Sequence, residues 1–273
     1  MDNIKKVLTI AGSDSGCGAG IQADLKVFAA RGVYGICAIT ALTAQNTLGI
    51  DGIEVVNSNF VAKQIDSVMR DISADVWKTG MLANKRIINV VIDKVKEYNI
   101  EKLIIDPVMI AKSGDFLLKE ESIDTLINNL IPLAYLITPN SYEAEAISKI
   151  KINNLNNAKE AAKKIYNMGA KNVLVKGGHI PNIKDAIDIL YNGEEIIIIS
   201  SPRIKSKNTH GTGCTYASSI AAEIAKGKDI ESAIRISKEY ITNAIISAKN
   251  LKIGNGHGPL DHFFQFQNFE KLN

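Results

Sequence analysis

Cysteine is scarce in this chain: Cys17, Cys37 and Cys214 are the three in 273 residues, and no CxxC pair occurs. An odd number of distant cysteines argues against a disulfide framework or a zinc site. A reducing compartment, the cytoplasm, is the expectation. No uninterrupted apolar run is long enough to span a bilayer. The short apolar run in "MDNIKKVLTIAGSD" continues straight into a glycine-rich loop, so no signal peptide is expected. A strong charge of one sign is lacking too. The 32 basic and 29 acidic residues leave a net charge of +3 and are interspersed on helical faces, which reads as solvated surface rather than a nucleic-acid interface. No linker, low-complexity tract or internal repeat divides the chain, so one domain over 1–273 is expected.

What is present is a rhythm. Short apolar runs alternate with helix-period runs. "KVLTIAG" (6–12), "YGICAITALTAQ" (34–45), "ADVWKTGML" (74–82), "KLIIDPVM" (102–109), "YLITPN" (135–140) and "NVLVKGGH" (172–179) contain strands. "GIQADLKVFAARG" (20–32), "FVAKQIDSVMRDI" (60–72), "KRIINVVIDKVKEYN" (85–99) and "NNAKEAAKKIYNMG" (156–169) are helical, the last closed by a glycine cap. "AIDILYNGEEIIIIS" reads as a hairpin turning at Asn192-Gly193. Two long helical runs close the chain. Repeated strand–helix units with near-continuous apolar strands predict an α/β fold whose mostly parallel sheet is covered on both faces.

Ligands of open α/β sheets bind beyond the carboxyl ends of the strands. That rule gathers "GSDSGCGAG", "TAQNT", "KTGM", Asp106, Asn140 and Lys176 at one crevice. The stretch "KNTHGTGCTYASSIAAEIAKG" belongs there as well. Gly211 and Gly213 let backbone amides turn toward a ligand, and the helix opening near Cys214 adds unpaired N–H groups, which together make an anion site. A free cysteine titrates near about 8.5, and a helix N-terminus lowers that value. Cys214 is therefore expected to ionise readily and to act as nucleophile or base; a small buried residue under the helix start remains the structural alternative. With His210 near, a cysteine hydrolase is conceivable, but no third group orients His210 in the sequence. A base beside an anion site suits phosphoryl transfer to an alcohol.

The ordered motifs "TIAGSDSGCGAGIQADLK", "ITALTAQNT", "KTGML", "DPVMIAKSGD", "LITPNSYEA", "VLVKGGH", "KNTHGTGCT" and "GHGPLDHF" resemble the hydroxymethylpyrimidine/phosphomethylpyrimidine kinases of thiamine biosynthesis, within the ribokinase superfamily. The likeness runs from about residue 5 to 266. It implies a ribokinase-like three-layer α/β/α sandwich and transfer of the ATP γ-phosphoryl to 4-amino-5-hydroxymethyl-2-methylpyrimidine, then to the monophosphate. It places Cys214 as the base where sugar-kinase relatives carry aspartate, with the amides of Gly211, Thr212, Gly213 and Cys214 as anion hole.

The same resemblance assigns further residues. Gln45 matches the pyrimidine-binding glutamine, able to donate and accept together; Asp24, Gly12, Met81 and Val108 surround the ring. Without the family, Gln45 reads as an exposed loop residue, Asp24 as a surface helix charge, and Met81 and Val108 as core. Asn140 and Glu143 match the family's NxxE motif, implying Mg²⁺ near the phosphates with Asp106 assisting; Glu143 read alone is a first-turn helix charge. Lys176, and Lys112 from a loop, reach the nucleotide phosphates. A homodimer is implied. Cys17 departs from the expected small residue in the first loop and costs energy if that position needs positive φ. The nearest alternative is a pyridoxine/pyridoxal kinase or a dual-specificity enzyme, against which the retained "AQNT" counts. A non-enzymatic ligand sensor is the more distant alternative.

Overall fold

The computed structural model describes residues 4–109, 120–178, 180, 181 and 183–266. In chain order the elements are β1 (Lys6–Asp14), α1 (Gly20–Ala30), β2 (Tyr34–Gln45), β3 (Ile50–Val55), α2 (Ser58–Asp71), β4 (Val76–Thr79), α3 (Lys85–Glu97), β5 (Leu103–Ile105), α4 (Glu120–Thr125), β6 (Leu136–Ile137), α5 (Ser141–Ser148), α6 (Leu155–Tyr166), β7 (Val173–Lys176), β8 (Ala186–Tyr191), β9 (Ile196–Ser201), α7 (Thr212–Ala225) and α8 (Ile230–Ala248).

The strands form one sheet in the order β3-β2-β1-β4-β5-β6-β7-β8-β9. The six from β2 through β7 pair in parallel, whereas β3 and the β8–β9 hairpin run antiparallel at the two edges. This is the mostly parallel, doubly covered sheet expected of a ribokinase-like fold.

Period-2 geometry explains why the strands read as continuous apolar runs. Leu8, Ile10, Trp77, Leu103, Ile105, Val173 and Val175 face one core, shared with α2, α3, α5 and α6. Their neighbours Val7, Val76, Ile104 and Leu174 face the other, shared with α1, α7 and α8. Both faces of these central strands are buried, so no polar alternation survives in them. Each fully buried Leu, Ile or Val contributes about 1.5–3 kcal/mol of transfer free energy, which anchors the strands whose carboxyl ends carry the polar groups.

The hairpin turns through Asn192, whose Oδ1 accepts from the backbone of Glu194 and Glu195 at 3.0 and 2.9 Å. Two elements were not expected from the sequence. The edge strand β3 is almost wholly exposed, so it shows no buried stripe. The segment α4 continues through a π turn, Leu126–Leu130, and a 3-10 turn, Ile131–Leu133, where Pro132 breaks the helical period.

Helix caps separate two groups. Asn57, Asn84, Asn140, Asn154 and Asp229 cap α2, α3, α5, α6 and α8 through their side chains. Helices α1 and α7 begin at Ala19 and Gly211 with no side-chain cap. Both uncapped ends lie against the same cavity, so no side chain caps the helix start there.

Candidate active site

A cavity of about 660 Å³ runs along the carboxyl edge of the sheet. Strand ends expected at one crevice are found together there: Gly12 near the end of β1, Gln45 at the end of β2, Met81 after β4, Asp106 and Val108 after β5, Asn140 after β6 and Lys176 at the end of β7. Gly211, Thr212, Gly213, Cys214 and Glu143 complete this set.

At one end stands Gln45. Its backbone is fixed by Ser15, which donates to Gln45 O at 2.7 Å and accepts from its N–H at 2.8 Å. The two ends of its carboxamide lie 3.0 Å from Thr43 Oγ1 and 3.4 Å from His210 Nε2. His210 Nε2 is also 2.8 Å from Asp14 Oδ2. Asp14 accepts further bonds from the N–H groups of Gly16, Gly18 and Ala19 at 2.8, 3.1 and 2.9 Å. Burial pushes its carboxyl up, but His210 and these amides outweigh burial and hold it below the ordinary carboxylate value. Asp14 is thus the third group that the sequence did not reveal beside His210. It turns the imidazole toward the first loop and Gln45, which removes the basis for a Cys214–His210 hydrolase pair.

At the centre α7 begins. Gly211 has φ +80, and a Cβ there would overlap Gly18 O, so the two glycine-rich loops meet backbone to backbone. A Cβ on Gly213 would lie 3.4 Å from Lys176 Nζ and 3.7 Å from Asp106 Oδ2. The open helix N-terminus therefore faces a cation and a carboxylate. Cys214 behaves differently from the expectation. Burial pushes its thiol up to about 11; Lys78 pulls it down, and Asp24 and Asp106 push it up. The helix N-terminus does not prevail over desolvation, and the resting group is a thiol.

Lys176 Nζ donates to Asp106 Oδ1 at 2.8 Å, and Thr138 Oγ1 to the same oxygen at 3.2 Å. Burial opposes the ammonium charge of Lys176, but Asp106 and Glu143 together raise its pKa. Asn140 and Glu143 form a reciprocal capping box on α5, with bonds of 3.0 and 2.8 Å. Burial raises the Glu143 carboxyl to about 7; Lys176 lowers it and Asp106 raises it. Two buried carboxylates beside one lysine are short of positive charge. Their oxygen donors suit a magnesium ion that draws its other ligands from phosphate and water. Among the described residues no cluster of three or more His, Cys, Asp or Glu gathers to hold a metal alone.

Asp24 is corrected. It lies neither at the cavity nor on the surface. Its side chain and that of Lys78 are both fully buried, with Lys78 Nζ 3.0 and 2.9 Å from its two oxygens. Thr9 and Ser218 each donate to it at 2.6 Å. Lys112 falls outside the described residues. Cys17 has φ 58, so a side chain does occupy a left-handed position in the first loop.

The far half of the cavity was not anticipated. Lys238 of α8 pairs with Asp188 of β8 at 2.6 Å, and Asp188 also accepts from Gly177 N–H at 3.1 Å. Arg203, just after β9, donates to the carbonyls of Gly178, Ile183 and Asp185. These residues pin the β7–β8 connection to α8. Their sequence signal is weak, because each is a lone charge whose partner lies far along the chain.

A family model described as phosphomethylpyrimidine kinase matches residues 14–261. The chain is 47% identical over 261 residues to the hydroxymethylpyrimidine/phosphomethylpyrimidine kinase of Bacillus subtilis, covering 96% of each protein. It is 45% identical to the chloroplastic thiamine biosynthetic bifunctional enzyme of Arabidopsis thaliana, covering 96% of this chain but only 50% of that one; the chain thus spans about half the length of such bifunctional relatives. Among solved structures, an ADP complex of Bacillus subtilis pyridoxal kinase superposes with a TM-score of 0.90 at 37% identity, covering 97% of this chain and 100% of that one.

Proposed function

Because the chain belongs to the phosphomethylpyrimidine kinase family, we propose that it transfers the γ-phosphoryl of ATP to the hydroxymethyl group of 4-amino-5-hydroxymethyl-2-methylpyrimidine, and then phosphorylates the monophosphate to the diphosphate, for thiamine diphosphate synthesis. The observation that carries this reading is the joining, in one cavity, of a carboxamide end, an uncapped glycine-rich helix start and a lysine–carboxylate cluster.

In this reading Gln45 binds the pyrimidine edge, while Gly12, Met81 and Val108 wall the ring. The substrate oxygen forms its bond to the γ-phosphorus as the bond to the β,γ-bridging oxygen breaks. The amides of Gly211, Thr212, Gly213 and Cys214 take the developing charge, and aimed donors of this kind supply most of the acceleration in such transfers. The hydroxyl proton passes to Cys214 in its thiolate form, which the buried Lys78 ammonium favours against desolvation. Lys176 and Asn140 approach the nucleotide phosphates; Lys112 is assigned there by resemblance alone. Glu143 and Asp106 would hold Mg²⁺, which supplies charge neutralisation on the phosphates when bound.

The chain acts as one kinase domain over 1–273 and as a homodimer in the cytoplasm; no helix among the described residues is long and apolar enough to cross a membrane. A second reading, pyridoxal kinase or dual specificity, is favoured by the TM-score of 0.90 to a pyridoxal kinase.

Mass spectrometry of products formed from Mg-ATP with hydroxymethylpyrimidine, its monophosphate or pyridoxal tests the assignment. Mono- and then diphosphate from the pyrimidine is the expected result. Pyridoxal phosphate alone would transfer the enzyme to vitamin B6 metabolism, and no product from any acceptor would leave a ligand sensor.

A further inference from the structure

Asp188 stands directly opposite Lys176. The two are register partners in the antiparallel β7–β8 pair, where opposed residues lie about 4.5–5.5 Å apart at Cβ on one face of the sheet. Leu174 and Leu190, two residues along from each, face the core shared with α7 and α8. By the two-residue period Lys176 and Asp188 face the same way. An ammonium and a carboxylate so placed would ordinarily pair. Here they do not. Lys176 Nζ donates instead to Asp106 Oδ1 at 2.8 Å, and Asp106 follows β5, two strands away in the sheet.

Asp188 is engaged elsewhere. Its Oδ2 accepts from Lys238 Nζ of α8 at 2.6 Å, and its Oδ1 from the N–H of Gly177 at 3.1 Å. Both members of the ion pair are buried, and the Lys238 ammonium also lies 5.8 Å from the centre of the Tyr216 ring. A Cβ on Gly177 would overlap Ile187 O, so the end of β7 is pressed against β8 and the backbone keeps Lys176 beside Asp188. Lys176, Asp188 and Lys238 all line the cavity, yet no step of the proposed transfer uses the Lys238–Asp188 pair. Without Lys238, Asp188 would be a buried, uncompensated charge, and the cation opposite it would be Lys176.

We infer that Lys238 is a positioning residue: by holding Asp188 it keeps Lys176 turned toward Asp106, where Lys176 meets the nucleotide phosphates. The inference rests on the proposed contact between Lys176 and those phosphates.

The test is the affinity of the full-length enzyme for two ligands, a non-hydrolysable ATP analogue with Mg²⁺ and adenosine, which carries no phosphate. It is measured by calorimetry in Lys238→Met, Lys176→Met, Lys238→Met with Asp188→Asn, and Lys238→Met with Lys176→Met. Lys238→Met is expected to weaken the analogue about tenfold, the worth of a hydrogen bond to a charged group, and to leave adenosine nearly unchanged. Adding Asp188→Asn should recover most of that loss, because the amide still accepts from Gly177 but has no charge to draw Lys176. In the Lys176→Met background Lys238→Met should add nothing. Lys238→Gln, also neutral, serves if the methionine variant does not fold. A pair that only fastens α8 to β8 would weaken adenosine as much as the analogue. That outcome, an additive loss with Lys176→Met, no rescue by Asp188→Asn, or an unchanged analogue affinity in Lys238→Met would each overturn the positioning role while leaving the Lys176 contact standing. An unchanged analogue affinity in Lys176→Met alone would overturn the contact and the inference together.

Discussion

Lys78 Nζ sits 2.9 Å from Asp24 Oδ2 with both side chains at 0% exposure, and Ser218 of α7 donates to the same carboxylate. Asp24 is satisfied on all sides by Lys78, Thr9 and Ser218. Removing one partner of such a pair strands a buried charge, which costs about 3–5 kcal/mol. Lys78→Met is therefore expected to lower the urea unfolding free energy by about that amount, and Lys78→Met with Asp24→Leu to recover more than half. A loss below about 1 kcal/mol would mean that water reaches the pair.

The thiol at Cys214, pushed to about 11 by burial, yields a kinetic expectation. Below that value the thiolate fraction grows about tenfold per pH unit. If the thiolate is the base, kcat should climb with pH through the neutral range. Cys214→Ser should lower kcat by about 10²-fold or more, the usual worth of a positioned base, and flatten the profile while ADP affinity stays within about twofold. Unchanged turnover in the serine variant would remove the cysteine from the mechanism.

The strand-end rule located most of the site because it depends on local patterns. The apolar runs fix where β2, β4, β5, β6 and β7 stop, and Gln45, Met81, Asp106, Asn140 and Lys176 follow from those stops, while β1 runs on past Gly12 to Asp14. Asp24 escaped because "QADLK" resembles any amphipathic helix face; its partner Lys78 stands 54 residues away, in β4. The same is true of Asp14 and His210, 196 residues apart. The lowered thiol pKa expected at Cys214 is not found: the helix end is visible in the sequence, but the burial that pushes the thiol up is set by the tertiary fold. The strand β3 escaped because its apolar residues Ile53 and Val55 face solvent, so no buried period marks it.

Gly211 tests the contact between the two loops. Alanine there must adopt φ +80 and place its Cβ on Gly18 O. Left-handed strain alone costs about 1–3 kcal/mol, and the clash forces the first loop away from α7. Gly211→Ala should lower Tm by several degrees and reduce kcat/KM through both substrates, because the loop holding Asp14 and the anion hole separate together. A variant with wild-type kcat/KM would show that the loops need not touch.

His262 lies at 3% exposure with its Nε2 2.9 Å from Thr215 Oγ1 in the first turn of α7. Burial, with the nearby Lys26 charge, depresses its pKa to about 4. The unfolded chain takes up this proton near pH 6.5, whereas the folded protein resists until about pH 4. Between those values the unfolded state binds more protons, so stability falls as pH falls through the window and levels off below it. At 1.36 kcal/mol per unit, the contribution lost is roughly 3 kcal/mol. His262→Gln keeps a polar partner for Thr215 but cannot be charged. Urea unfolding at pH 7 and at pH 4.5 should show a smaller stability loss in this variant than in the wild type, the carboxylate contributions being common to both. Equal losses would mean that His262 is protonated in the folded protein, and hence that the packing over the α7 start admits water.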